Sequence, residues 1–230
     1  MKTVLSLLAF AIAGVEAREG TCHGLVLSGG ANNGAWEAGV LWGLVNYGDP
    51  AQFQWDVVTG VSAGAINSGA IVLFAPGDEI AMTQYLSDTW RSIDTPDVWL
   101  PRPGGKAGLV YDLFHEPSLL NDEPLVNTLR SIISPFESTG ILRAFTLAAV
   151  DANTGDYVTW TEKNTSFNDL AQSCASSGSI PGAFIPQHLK GYVLMDGGTM
   201  WDVNVDSAVN YCLEQGFTEE QVVIDALNCW

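Results

Sequence analysis

The pentapeptide Gly60-Val61-Ser62-Ala63-Gly64 has the Gly-x-Ser-x-Gly form. It lies between a run rich in β-branched and aromatic residues and a run of small and apolar ones, in the order strand, turn, helix. A serine on so tight a turn projects away from the backbone, and only small neighbours let the turn close. The N-terminus of the following helix adds partial positive charge near the serine oxygen. The chemistry on offer is nucleophilic attack on an acyl carbon. The same residue types also make a plain serine N-cap in a glycine turn.

Gly29-Gly30-Ala31-Asn32-Asn33-Gly34 again follows an apolar run and precedes a helical pattern. A glycine turn exposes consecutive backbone N–H groups, which bind anions. Two anions fit such a cradle: a phosphate, or the oxyanion of a tetrahedral acyl intermediate. The dinucleotide fingerprint breaks at Ala31, and no Gly-Lys-Ser/Thr follows to make a P-loop. An oxyanion hole built from the amides of Gly29, Gly30 and Ala31, paired with Ser62, fits better. The third feature is Asp196-Gly197-Gly198, directly after the apolar run Tyr192 to Met195. A carboxylate at a strand end beside two glycines can approach another loop closely, although Asp-Gly is also a common plain turn. Asp151 and Asp156 are assigned to a hairpin turn.

A serine hydrolase with a histidine base would place Asp and then His after the serine. Only His115 and His188 follow Ser62. His188, with Asp151 or Asp156, therefore offers a Ser-His-Asp α/β-hydrolase esterase as an alternative, without the lipase-type His-Gly-Gly-Gly loop. No cysteine spacing suggests a metal site.

Taken together, the three sites resemble the patatin-like phospholipase family. Ser28 to Leu44, SGGANNGAWEAGVLWGL, is similar to its glycine-rich loop and following helix. Ser62 matches its nucleophile, Asp196 the aspartate of its D-G-G/A motif, and Ala175 to Pro186, ASSGSIPGAFIP, its A-S-x-x-x-P-x-x-F-x-P segment. The resemblance runs over residues 24–223, with weak similarity from Ala75 to Gly140. It implies a three-layer α/β fold with a mostly parallel central sheet flanked by helices. It also implies a Ser62–Asp196 dyad without histidine, an acyl-enzyme intermediate and no metal or cofactor. The implied substrates are fatty acyl esters of phospholipids or related glycerolipids at a membrane or micelle surface. Two positions depart from the pattern. Ala31 replaces the third glycine of the first motif, keeping the N–H donor but resisting positive φ. Asn33 stands where the family usually has Arg or Lys. A patatin-fold lipid-binding or scaffold protein without turnover is the corresponding alternative function, against which the retention of both Ser62 and Asp196 argues.

The elements that must position these residues follow from hydrophobic periodicity. Strands are predicted at His23 to Leu27, Phe53 to Thr59, Arg143 to Val150, Tyr157 to Thr161, Tyr192 to Met195 and Gln221 to Ala226. Helices are predicted at Ala35 to Tyr47, Ala63 to Phe74, Thr83 to Ile93, Leu120 to Ile133, Phe167 to Ser176 and Asp206 to Gln215. Their alternation argues independently for an α/β layer fold. The apolar stretch Val57 to Ala75 reads as strand, turn and helix rather than a membrane span. A Pro/Gly-rich connection around Trp99, Leu100, Arg102 and Lys106, together with Trp90, reads either as a lipid-facing cap or as an ordinary loop packed on the core.

The 230 residues suffice for one large domain with a proper core. Nine Lys and Arg stand against 26 Asp and Glu, a formal net charge of −17. Such a chain has no general attraction to nucleic acid or to anionic lipid head groups. Met1, Lys2, the apolar Val4 to Ala13 and Val15-Glu16-Ala17 read as a signal peptide over residues 1–17. The expected destination is secretion or the lumen of the secretory and endolysosomal pathway. There, Cys22, Cys174, Cys212 and Cys229 can pair in three ways or stay free and buried. Asn164-Thr165-Ser166 is a glycosylation sequon expected on a surface loop.

Overall fold

The computed structural model describes residues 20–101 and 118–229. The predicted signal peptide, His115, Arg102 and Lys106 lie outside the described residues.

Strand β1 (Cys22–Leu27) is buried along its whole length and lies second from one edge of the sheet. It pairs in parallel with β2 (Val57–Val61) on one side, and on the other with the strand Val222–Leu227. β2 in turn pairs in parallel with the strand Ala144–Asp151. The three inner strands of this set are buried along almost their whole length, as a parallel sheet covered on both faces demands, while the edge strand Val222–Leu227 is partly exposed. In chain order the remaining strands are the short pair β3 (Leu100–Pro101) and β4 (Leu120–Asn121), then β5 (Ala144–Asp151), β6 (Tyr157–Thr161), β7 (Gln187–Leu189), β8 (Tyr192–Asp196) and β9 (Val222–Leu227). The main sheet runs β7-β8-β5-β2-β1-β9, with β6 also on β5, and β6, β7 and β8 make its antiparallel part.

Alternate residues of the central strands face two separate cores. Leu25, Leu27 and Val58 pack beneath α1 (Gly34–Tyr47), α2 (Ala63–Ile71) and α3 (Glu79–Ser92). After the single turn α4 (Thr95–Val98), helices α5 (Glu123–Ile133) and α6 (Phe167–Ser177) complete that layer. Val26 and Val57 face the other way, onto Ala208 and Cys212 of α7 (Val205–Glu214). The expected three-layer α/β arrangement is therefore observed. A Cys22–Cys212 disulfide staples β1 to α7, while Cys174 and Cys229 are free and buried.

Most predicted elements fall within a few residues of the observed ones, and the departures have local causes. β2 starts at Val57 rather than Phe53, because pairing with β1 begins at Gly24 and the Asp56 carboxylate accepts the His23 N–H at 2.8 Å. The predicted helix from Leu120 is split. Leu120–Asn121 pairs with β3, and the helix starts only at Glu123, with Pro124 in its first turn where the missing N–H costs nothing. The hairpin strand β7 was not predicted. It turns back through Lys190 and Gly191, both at positive φ (51° and 89°), a geometry suited to a two-residue hairpin. Val57 to Ala75 holds β2 and α2, and among the described residues no helix is long and apolar enough to cross a membrane.

Candidate active site

β2 ends at Val61, and α2 begins at Ala63, so Ser62 alone makes the turn. Its φ of 53° and ψ of −119° lie outside the ordinary regions for a residue with a side chain. Strain of this kind persists only where the surroundings over-determine it. They do so here. The Ser62 N–H donates to the Ser177 Oγ at 2.8 Å, and Ser177 Oγ donates to the Ala148 carbonyl. A Cβ at Gly60 would lie 2.3 Å from the Gly64 carbonyl oxygen, and one at Gly64 would lie 2.3 Å from that of Leu27. Both glycines of the pentapeptide are thus required by backbone approach.

Asp196 is the last residue of β8 and reaches the same point from the opposite direction. Val61 pairs with Ala148 and Asp196 with Ala149, so the C-terminal ends of β2 and β8 converge on adjacent residues of β5. The Ser62 side chain lies close enough to the Asp196 carboxylate to favour its charged form, and Asp196 Oδ1 accepts the Gly198 N–H at 2.8 Å. Burial is the main cause lifting the Asp196 pKa, opposed by the nearby Ser62 side chain and the Gly198 N–H and aided by the charge of Asp202, to about 6. A carboxylate in that range is a better general base than an ordinary one.

The glycine turn sits beside them. The Gly64 N–H donates to the Ser28 carbonyl at 3.0 Å, joining the two turns. Gly29 is not a free donor: its N–H points to Asp202 Oδ1 at 2.9 Å. The expected three-amide cradle therefore narrows to Gly30 and Ala31, with no acceptor for either N–H among the described residues. Ala31 adopts φ 51°, the conformation that an alanine resists, and lines the cleft with Ser62. Asn33, in place of a basic residue, donates from Nδ2 to the Cys229 carbonyl at 2.9 Å and ties the C-terminal segment under the turn.

Ser62 opens onto a cleft of about 510 Å3 whose walls include Ile66, Trp90, Val98, Trp99, Leu129 and Phe184. Asp94 is the one charged residue on its described wall. Trp90 and Trp99 of the candidate cap are there, whereas Leu100 lies exposed on the β3–β4 pair. His188 is exposed on the edge strand β7, opposite Val193, and the hydroxyl of Ser62 meets Asp196 instead. Asp151 holds its turn by accepting from Asn153 N–H and Thr154 Oγ1, as its hairpin position predicts. His23 is buried, within 3.2 Å of Thr21 Oγ1.

Sequence reasoning missed two supports of the site. Ser177 lay within a quoted motif but had no role, and its signal is only its place three residues after Cys174 on the buried face of α6. Glu37 is fully buried in α1, accepting from Asn67 Nδ2 at 2.8 Å, and lies 3.7 Å from the Cys229 thiol. Burial pushes its pKa up to about 8. Trp90 Nε1 donates to Asn67 Oδ1 at 2.7 Å, so one polar chain runs from the glycine turn to the cleft wall.

The family model for patatin-like phospholipases matches residues 25–209. The chain belongs to the patatin-like phospholipase family. Among solved structures, it is similar to VipD from Legionella pneumophila (16% identity, TM-score 0.49, covering 90% of this chain and 50% of that one). It is also similar to ExoU of Pseudomonas aeruginosa in its heterodimer with SpcU (17%, 0.39, 90% and 47%) and in a separate crystal structure (15%, 0.38, 90% and 48%). The chain thus spans about half the length of the solved structures it matches. In this patatin-like chain, the matched span contains Ser62, Asp196 and the glycine turn.

Proposed function

We propose that this chain is a serine lipid acyl hydrolase that works through Ser62 and Asp196. The observation that carries the reading is the Ser62 side chain, held on a strained turn beside the buried Asp196 carboxylate and lining an apolar cleft. An acyl chain lies in the cleft. Ser62 Oγ attacks the ester carbonyl carbon while its proton passes to Asp196. The carbonyl oxygen becomes an anion facing the N–H groups of Gly30 and Ala31. Collapse breaks the ester bond, and the departing alcohol takes the proton from Asp196. Water then gives a proton to Asp196 and attacks the acyl-serine. The fatty acid leaves, and Ser62 recovers its proton. The family supports fatty acyl esters of phospholipid or related glycerolipid as substrates, bound at a membrane or micelle surface.

The Cys22–Cys212 bridge suits an oxidising compartment and supports reading residues 1–17 as a signal peptide of a secreted or lumenal protein. A fluorophosphonate probe on the purified protein tests the nucleophile: it labels wild type and not Ser62→Ala. Asp196→Asn abolishes hydrolysis of a short-chain ester. Lipid binding without labelling would instead favour a scaffold, and activity lost only in His188→Ala would favour the triad.

A further inference from the structure

Asp202 is not part of any motif described above, yet its carboxylate lies at the centre of the site. It follows the Asp196-Gly197-Gly198 turn and reaches back to accept the Gly29 N–H at 2.9 Å. The fit is tight on both sides. A Cβ on Gly29 would come within 2.5 Å of Asp202 Oδ1 and 3.0 Å of the Ser62 Cβ. A Cβ on Gly198 would come within 2.7 Å of the same oxygen and 3.1 Å of Asp196 Oδ1. One glycine from each turn is therefore needed to admit this carboxylate, which spans the space between them. The backbone carrying it is anchored next door, where Tyr157 donates its hydroxyl to the Trp201 carbonyl at 3.0 Å.

We infer that Asp202 is a positioning residue, a strut that sets the distance between the oxyanion turn and the Asp196 turn and whose charge tunes the base. The inference rests on the Ser62–Asp196 hydrolase reading. By tying down Gly29, the strut fixes the peptide units that follow, so that the Gly30 and Ala31 amides stay aimed at the cleft. A charge-assisted bond to a backbone N–H is among the stronger ones available. The second effect is electrostatic. Asp202 and Asp196 both border the point where a Gly198 Cβ would sit, and a like charge at that range disfavours ionisation of its neighbour. The other titratable groups that feel Asp202 are Tyr157 on β6, Glu37 on α1 and Cys229 after β9. Burial raises all three, Glu37 to about 8, so Asp196 is the group among them that changes charge near pH 6.

The two effects separate by substitution. Asp202→Asn keeps an oxygen for the Gly29 N–H and removes the charge. Asp202→Ala removes both. With a soluble short-chain ester, Asp202→Asn retains most of kcat, and the acid limb of its kcat/KM profile moves down by about half a pH unit. Asp202→Ala loses about tenfold or more in kcat, with KM changed much less. The 13C titration of the Asp196 carboxyl, in wild type and Asp202→Asn, reads the same coupling without needing turnover. A lower Asp196 pKa in Asp202→Asn supports the inference. Coincident titrations, or an Asp202→Ala enzyme with wild-type kcat, overturn it. A wild-type protein that neither hydrolyses ester nor reacts with fluorophosphonate sinks the hydrolase reading instead, and the carboxyl titration still decides the coupling.

Discussion

Ser62 and Ser177 are joined by a backbone-to-side-chain hydrogen bond of 2.8 Å that holds the Ser62 peptide in its unusual conformation. Ser177→Ala leaves the buried Ser62 N–H without its acceptor, and an orphaned buried donor costs about 1–3 kcal/mol. The substitution is expected to lower the unfolding free energy by that amount, moving the urea midpoint down in proportion, and to reduce kcat more than it raises KM. An unchanged midpoint would show that the turn is held by glycine packing alone.

Ala31 is a case where the usual effect of a substitution reverses. An alanine at φ 51° carries a left-handed penalty of about 1–2 kcal/mol. Glycine escapes that penalty but gives up roughly 0.4–1 kcal/mol through the greater freedom of the unfolded chain. Ala31→Gly is therefore expected to stabilise by about 0.5 kcal/mol, where alanine to glycine in a helix interior costs about 1 kcal/mol. A β-branched residue fits the left-handed region worst, so thermal melts should rank Gly, then Ala, then Val at this position. Melting points in the reverse order would refute the strain.

The reach of the sequence is uneven for physical reasons. Residues whose role is fixed by local chemistry were legible. Gly60 and Gly64 declare a tight turn, and Tyr157 to Thr161 shows its strand without error. Ser62 and Asp196 were named because each sits at a strand end beside glycine. What could not be read is what depends on approach between distant segments. Gly29 looked like a free donor because nothing in its own hexapeptide shows that Asp202 comes to occupy it. Nothing within its own helix marks Glu37 as buried, and its partner Asn67 comes from α2. The disulfide is similar: four cysteines permit three pairings, and only the packing of α7 on β1 selects Cys22 with Cys212.

Arg143 and Glu79 form an ion pair of 2.9 Å in which both side chains are almost wholly buried. Arg143 also donates to the carbonyls of Phe74 and Ala75, so the pair clamps the end of α2, the start of α3 and the entry to β5. Removing one partner strands the other charge in the interior, at about 3–5 kcal/mol. Glu79→Ala should show this loss in chemical denaturation. Because Arg143 stands immediately before β5, level with the start of β2, while Ser62 follows the far end of β2, folded Glu79→Ala should keep its reactivity toward fluorophosphonate. A loss under about 1 kcal/mol would mean that water reaches the pair.

Glu37 gives the chain a pH dependence with a definite sign. Its pKa is about 8 when folded against an ordinary glutamate value of 4.5, so the folded state holds its proton more tightly. The stability it contributes is complete below about pH 4.5 and is lost as pH rises toward 8 and beyond. One proton corresponds to at most about 1.4 kcal/mol per pH unit. Glu37→Gln imitates the protonated side chain, which serves Asn67 and Cys229 equally well. Wild type and Glu37→Gln should therefore unfold at similar denaturant concentrations near pH 4.5. They should separate progressively toward pH 8, with the glutamine variant the more stable. Cys229→Ala, which removes the thiol beside Glu37, should leave the direction of the wild-type slope unchanged. Parallel stability curves for wild type and Glu37→Gln would place the titrating group elsewhere.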